Sequence, residues 1–520
     1  MSASTTARPS PAARAFDRVL LGIERAGNAL PHPFFLFCYL FVAIALASSA
    51  MAWAGATVTV PGSDEVLPVQ GFLSTEGVLW LLSSFATNFS SFPPFGTVLM
   101  MLMAVGVAER SGLLGAAVTA VFGRAPRRVV PYAVALVACQ GHVMSDVATI
   151  VLPPLAALVF LKAGRHPVAG MIGTFACVVA GYSGGVLVGV LDTLLHGITV
   201  EAASVLPGAD VSDLNVLMNI AFTATSGIVL GLLGGFLIDR VLEPRLGAFD
   251  AAASSAATDD LGSLHLEPAQ RRGLLASVAV LVVYLGGLAL AWLWPGSPLQ
   301  GEGGTLVPSP LLSGVIPVIF GAFLLAGTVY GVVARTLPGR DALPAVMAES
   351  VKTMAGYVVL IFVIAQAIAL FSWSNLGSWL AVEGAALLES VGLTGFTAVV
   401  LFVLLVFTLN LVITSGSALW SLVAPVFVPA FMLLGYDPAL TQAAFRIGDS
   451  ASSPLSPLNP YLVILLTLVQ RWEPGAKLGT VMSRMAVFVL PFLVVWLVIL
   501  GLFFAFDLPL GPGGSIRLPE

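Results

Sequence analysis

Runs of about 20 mostly apolar residues recur along this chain from Phe34 to Phe506, and a run of that length is what crossing the hydrocarbon of a bilayer requires. No arrangement of such segments is stable in water. Of the 520 residues, 58% are hydrophobic and only 9% charged, with a mean hydropathy of +0.99, whereas soluble domains carry roughly a quarter charged residues. The chain therefore reads as an all-α polytopic membrane protein, which excludes soluble enzymes and secreted disulfide scaffolds. The three cysteines (Cys38, Cys139, Cys177) sit in apolar stretches without metal-ligand spacing, so they read as small buried hydrophobes. No metal or cofactor is expected, and no basic patch interleaved with aromatics suggests nucleic acid.

Basic residues gather in cytoplasmic loops, which gives the spans a direction. Residues 1–33, with Arg8, Arg14, Arg18 and Arg25, read as a cytoplasmic N-terminal segment. Phe34–Ala54 is too long for a signal-peptide core and reads as a retained first helix. Further spans are expected at Leu79–Val107, Val168–Ile198, Leu217–Ile238, Leu274–Leu293, Ile316–Val333, Tyr357–Phe371, Ala439–Val469 and Met485–Phe506. Two other apolar stretches, 129–161 and 398–434, must each cross an even number of times. The first has basic residues at both ends and the second has none at either. The arms of the first are only about 14 residues, too short to span. Both stretches are expected to be re-entrant hairpins, one entering from the cytoplasm and the other from the periplasm. The result is nine transmembrane helices plus two opposed hairpins, with 20 of the 22 Lys and Arg residues inside. Residues 34–238 form a first transmembrane half, 239–272 a cytoplasmic loop, 273–506 a second half and 507–520 a C-terminal tail. Neither the loop nor the tail carries an interpretable signal.

The hairpins share an echo at a constant spacing of 271 residues: Pro154 with Pro425, Gly164 with Gly435, Pro167 with Pro438. Together with opposite sides of approach, this is what an inverted repeat in a secondary transporter would leave. Each hairpin is followed by an interrupted span. The first contains Gly181-Tyr182-Ser183-Gly184-Gly185 and then Asp192; the second contains the run from Arg446 to Pro457. Broken backbone at that depth is tolerated only where protein buries it or water reaches it, so four breaks at one level imply a cavity.

Asp146, Asp192, Arg446 and Asp449 fall well inside the bilayer on this map, where an ionisable residue is functional by default. Arg446 and Asp449 stand at i, i+3, so a self-neutralising pair is the plain alternative. Released from it, Arg446 suits a substrate carboxylate. Asp192 has no local partner and is a candidate proton carrier or a structural hydrogen-bonding group. Ser415, Gly416 and Ser417 sit at the turn of the second hairpin, where a helix N-terminus would direct N–H groups at an anion. Trp420, one turn on, would stack on an aromatic ligand or pack the hairpin. Asn410 would orient the loop or touch a ligand. Ser145 with Asp146 in the first hairpin, and Ser183 in the first break, are secondary candidates. His142 and His196 read as structural histidines rather than proton relays.

At these residues the chain resembles the AbgT family of p-aminobenzoyl-glutamate transporters and antimetabolite exporters, from about Leu30 to Leu500. The similarity is densest in Asn88-Phe89-Ser90-Ser91-Phe92, in Gly106 through Leu114, in Ser145-Asp146 through Ala157, and in Gly164 through Gly170. It is strongest from Ala418-Leu419-Trp420 through Pro429, then in Gln442 through Ser450 and in Gln470-Arg471. The resemblance implies a dimeric inner-membrane carrier with a scaffold and a moving core, an elevator-type architecture of the ion-transporter superfamily. It places functional residues on Asp192, Ser417, Trp420, Pro438, Arg446 and Asp449. Where relatives usually have a small residue and then Asn after an aromatic-Ser or aromatic-Thr pair, this chain has Gly184-Gly185 after Tyr182-Ser183. Proton coupling is what the resemblance favours, while hairpin-tip carbonyls and hydroxyls also suit Na⁺.

The expected function is therefore secondary transport of an aromatic acid of the p-aminobenzoyl-glutamate kind, with drug efflux through the same site as the alternative. An intramembrane aspartyl protease would need a Gly-x-Gly-Asp setting that Arg446-Ile447-Gly448-Asp449 lacks. No ATP-binding motif points to a primary pump.

Overall fold

The computed structural model describes residues 31–59, 66–122, 126–144, 147–247, 249, 266–306, 309–339, 341–352, 355–392, 394–459 and 461–518. Ser145, Asp146 and most of the N-terminal segment lie outside them, as does much of the 239–272 loop. The chain runs through α1 (Pro33–Trp53), an antiparallel pair β1 (Thr57–Thr59) and β2 (Val66–Pro68), α2 (Thr75–Ser90), α3 (Pro93–Arg110), α4 (Leu113–Phe122) and α5 (Val130–Ala138). A 3-10 turn, Gly141–Met144, precedes α6 (Val147–Lys162), α7 (Pro167–Ala180), α8 (Val190–Ala203) and α9 (Ile220–Leu237). A π turn, Ile238–Leu242, carries α9 into the single turn α10 (Glu243–Leu246). Then follow α11 (Pro268–Leu293), α12 (Pro310–Ser313), α13 (Val315–Val333), α14 (Ala342–Lys352), α15 (Ala355–Trp373) and α16 (Leu376–Ser390). The last group is α17 (Phe396–Asn410), α18 (Gly416–Leu433), α19 (Pro438–Ser452), α20 (Tyr461–Gln470) and α21 (Leu478–Ala505).

Among the described residues, eight helical segments are long and apolar enough to cross a membrane. The chain is a multi-pass membrane protein. Two of the expected spans are interrupted, as their glycine, serine and proline runs imply: Val168–Ile198 is α7 and α8, and Ala439–Val469 is α19 and α20. A third span, Leu79–Val107, also breaks, which the sequence reading did not expect. Its two parts meet at Ser91–Phe92, ahead of Pro93 at the start of α3. Proline lacks the N–H that would continue the ladder and disfavours helix in the residue before it. Helices α4, α14 and α16 occupy stretches read as loops. The 239–272 loop is shorter than expected, because Asp239–Leu246 prolongs α9 and Pro268–Arg272 begins α11. Helix α18 has 18 residues and is by length and composition itself able to span, whereas the sequence reading made it a hairpin arm.

The 271-residue echo has a structural counterpart. Helices α6 and α18 end at Lys162 and Leu433, α7 and α19 begin at Pro167 and Pro438, and α8 and α20 begin at Val190 and Tyr461. Every one of these pairs is 271 residues apart. The helix ends match bond for bond. The Arg165 N–H donates to the Phe160 carbonyl at 2.8 Å and the Gly164 N–H to Leu161 at 2.9 Å; Tyr436 donates to Phe431 at 3.0 Å and Gly435 to Met432 at 2.9 Å. Both are Schellman caps, whose turn needs a residue with positive φ, and Gly164 and Gly435 supply it at +67° and +85°. Pro167 and Pro438 then start the next helices, where a missing N–H costs nothing. Phe160 and Phe431 are a fourth identity in the echo, passed over in the sequence and buried in both copies.

The C-terminal tail is built into the fold. The N–H groups of Ala221 and Phe222, at the start of α9, donate to the Leu510 carbonyl, and the Leu518 N–H donates to Gly435. Asp437 accepts from the Ser515 hydroxyl at 2.9 Å. Leu510 and Ile516 are fully enclosed. The tail thus joins α9 to the turn between α18 and α19. Deleting 508–520 should destabilise the protein by about 3–6 kcal/mol, the burial of two large aliphatic side chains, read as a fall in the melting temperature of the detergent-solubilised protein. An unchanged melting temperature would mean the tail is only draped on the surface.

Candidate functional site

Helix α19 is buried on all sides, so every polar group it carries must find a partner inside the protein. Arg446 sits at its centre. Nη1 donates to Asp192 Oδ1 at 2.7 Å and to the Ser183 carbonyl at 3.3 Å, and Nε and Nη2 donate to Gln442 Oε1 at 3.3 and 3.1 Å. Gln442 also accepts from Asn219 at 2.8 Å and donates to Thr199 at 2.7 Å. Asp192, in the first turn of α8, accepts the Gly189 N–H at 2.7 Å through its other oxygen. One chain of hydrogen bonds therefore ties α19 to the first broken span.

The i, i+3 pair that the sequence left open does not form: Arg446 pairs with Asp192, not with Asp449 one turn away, and Asp192, without a local partner, finds this distant one. The i, i+3 pair looked natural because sequence shows only local neighbours. Trp420 packs inside the protein: it is fully buried, its ring centroid lies 4.6 Å from that of Phe445, and its Nε1 donates to Thr199 at 3.1 Å. Asn410 donates to the Asp449 carbonyl and to the Ser452 and Ser453 hydroxyls, so it orients the second break. Pro438 opens α19 behind the cap of Asp437, whose carboxylate accepts the Ala439 N–H.

A cavity of about 370 Å³ opens where both breaks meet the turn before α18. Its walls include Thr414, Ser415, Gly416, Ser417, Asp449 and Ser453 on one side and Tyr182, Val190, Leu191 and Leu194 on the other. Four of the expected residues thus line it together: Ser415, Gly416, Ser417 and Asp449. Asp192, Arg446 and Ser183 lie in the network behind, and Ser145 and Asp146 lie outside the described residues. Thr149, Asn459 and Tyr461 were missed. The repeat spacing was the available signal for Tyr461, because Val190 with Tyr461, and Tyr182 with Ser453, are 271-residue pairs that all line the cavity.

Asp449 differs from the other acids. Its residue is 7% exposed, and no hydrogen bond or ion pair reaches its carboxylate among the described residues. Among the described lining residues it alone carries a formal charge. The α-carbon of Gly416 lies against it: a methyl group there would stand 3.0 Å from Oδ2 and 3.1 Å from Oδ1. Gly416→Ala should therefore displace Asp449 and cut transport roughly tenfold, about 1.4 kcal/mol, while leaving the melting temperature nearly unchanged. Wild-type transport by this variant would show that the contact has no bearing on the cavity.

The family model described as "AbgT putative transporter family" matches residues 18–518. The p-aminobenzoyl-glutamate transport protein of Escherichia coli (strain K12) is 39% identical over 498 residues, covering 95% of this chain and 96% of that one. The Alcanivorax borkumensis YdaH transporter, a crystal structure described as having an unusual topology, superposes with a TM-score of 0.87 at 34% identity, over 93% of this chain and all of that chain. MtrF of Neisseria gonorrhoeae, described as illuminating a class of antimetabolite efflux pumps, gives a TM-score of 0.90 at 35% identity, over 96% of this chain and all of that chain. The sequence, the helical architecture and these similarities agree, and the chain belongs to the AbgT transporter family.

Proposed function

We propose that the protein is a secondary active transporter of p-aminobenzoyl-glutamate or a related aromatic carboxylate, coupled to protons and working by alternating access. The observation that carries this reading is Asp449, a buried carboxylate that faces the cavity and takes no hydrogen bond or ion pair among the described residues. A charge so placed is costly unless a proton or a ligand joins it, so its occupancy biases which state the protein prefers. The apolar wall of Tyr182, Leu191 and Leu194 suits an aromatic ring, and the N-terminus of α18 suits a carboxylate. In the bacterial inner membrane, with the N-terminus cytoplasmic, α5–α6 and α17–α18 are the two opposed hairpins, and the matched helix ends are the trace of an inverted repeat. The working unit is a homodimer, with α1 and α11 presenting largely exposed apolar faces to lipid or to the second copy.

The test is uptake of labelled p-aminobenzoyl-glutamate into proteoliposomes, with a pH gradient in either direction and with sodium present or absent. Accumulation that follows the pH gradient supports the reading; a substrate ignored under every gradient contradicts it. A second reading, export of sulfonamide-type antimetabolites, is favoured by one feature. Among the described residues the cavity wall carries one acid and no base, which suits an aromatic amine. Inhibition of uptake by sulfonamides, and gradient-driven sulfonamide flux, would support it.

A further inference from the structure

A guanidinium would strengthen the hold on an anionic substrate, and Arg446, in the network behind the cavity, is engaged by Asp192 and Gln442. Something must loosen Asp192 before the guanidinium becomes available. The side chain that touches this pair from the other side is His142, in the 3-10 turn between α5 and α6. Its Nε2 lies 2.7 Å from the Leu187 carbonyl and 3.9 Å from Asp192 Oδ2. It is buried, and its Nδ1 has no hydrogen-bond partner. The ring fills the space over Gly185, where a methyl group would come within 2.0 Å of its Cε1. The imidazole is thus boxed between the first hairpin and the broken span. Of the described elements packed on this turn, α8 presents Asp192; the Glu109 and Arg110 of α3 and the Lys162 of α6 sit in last turns and make no pair with it, and Asp146 lies outside the described residues.

We infer that His142 is a positioning residue: a proton on its imidazole draws Asp192 away from Arg446 and frees the guanidinium for a substrate carboxylate. The charge arithmetic supports this. With neutral His142 the Asp192–Arg446 pair is balanced. Arginine does not release its proton, so protonated His142 leaves two cations sharing one carboxylate. An anion restores the balance, and proton and anionic substrate therefore favour the same state. The inference deepens the proposed function and rests on it for the identity of the anion.

The experiment is hydrogen–deuterium exchange of residues 183–192 in the full-length protein at pH 8 and pH 6, corrected for intrinsic exchange, with and without p-aminobenzoyl-glutamate. Wild-type protein without substrate should exchange roughly threefold or more faster at pH 6 as the local structure loosens. His142→Gln keeps an N–H for Leu187 but cannot become charged, and Asp192→Asn removes the responding carboxylate; both should lose the difference. An unchanged wild-type profile, or a difference that persists in His142→Gln, overturns the inference. Should His142→Gln fail to fold, His142→Asn, which also keeps an N–H and cannot become charged, is measured in its place. Added substrate should protect wild-type protein more at pH 6 than at pH 8. Absence of protection at both pH values would count against p-aminobenzoyl-glutamate as the ligand, while the substrate-free comparison would still decide the role of His142.

Discussion

Asp449→Asn is expected to abolish accumulation driven by a pH gradient while leaving substrate exchange across the membrane without a gradient. One coupled proton and one unit of pH gradient can support at most about tenfold accumulation, equivalent to about 1.4 kcal/mol. The variant should fall to a ratio of about one, because an amide of the same shape cannot carry the proton. Its melting temperature should hold or rise, since the wild-type carboxylate has no partner to lose. Counterflow of labelled against unlabelled substrate is the control that separates uncoupling from damage. Tenfold accumulation by Asp449→Asn would move the proton to another group.

The second large effect concerns stability. Arg446→Gln leaves Asp192 buried beside no cation, and breaking a buried ion pair from one side costs about 3–5 kcal/mol. Asp192→Asn should cost a similar amount, because it strands the guanidinium. The double variant, Asp192→Asn with Arg446→Gln, puts two neutral groups where two charges stood and should recover much of the loss. Denaturation of all four proteins in one detergent closes the cycle. Losses that simply add would mean the 2.7 Å contact contributes little.

Much of the scaffold was readable because it rests on local rules. Apolar length marks the long helices, and glycine or proline marks their ends. Gly164 and Gly435 stood out for the same reason that they cap helices: the Schellman turn needs their positive φ. The site was readable only as a set of suspects. Ser417 and Asp449 do face one cavity, but the pairing of Arg446 with Asp192 joins residues 254 positions apart, and no local pattern could announce it. Trp420 was balanced between stacking on a ligand and packing because an aromatic at helical spacing serves either end; its burial against Phe445 shows what it touches in this state. The tail carried no pattern because backbone groups, such as the Leu510 carbonyl, make many of its bonds and every residue type possesses them, while its two enclosed side chains, Leu510 and Ile516, are too few to set a period. His142 was read as structural, and its contact with Asp192 became visible only once the 3-10 turn before α6 was seen beside the first turn of α8.

The central claim is that the cavity between the two breaks is the transport site. Photolabelling with an azido analogue of p-aminobenzoyl-glutamate, followed by peptide mapping, tests it directly. Labels should fall within 179–194, 414–417 and 449–461, and excess unlabelled substrate should suppress them. Substrate-protected labelling confined to other helices, such as α11 and α13, would contradict the account.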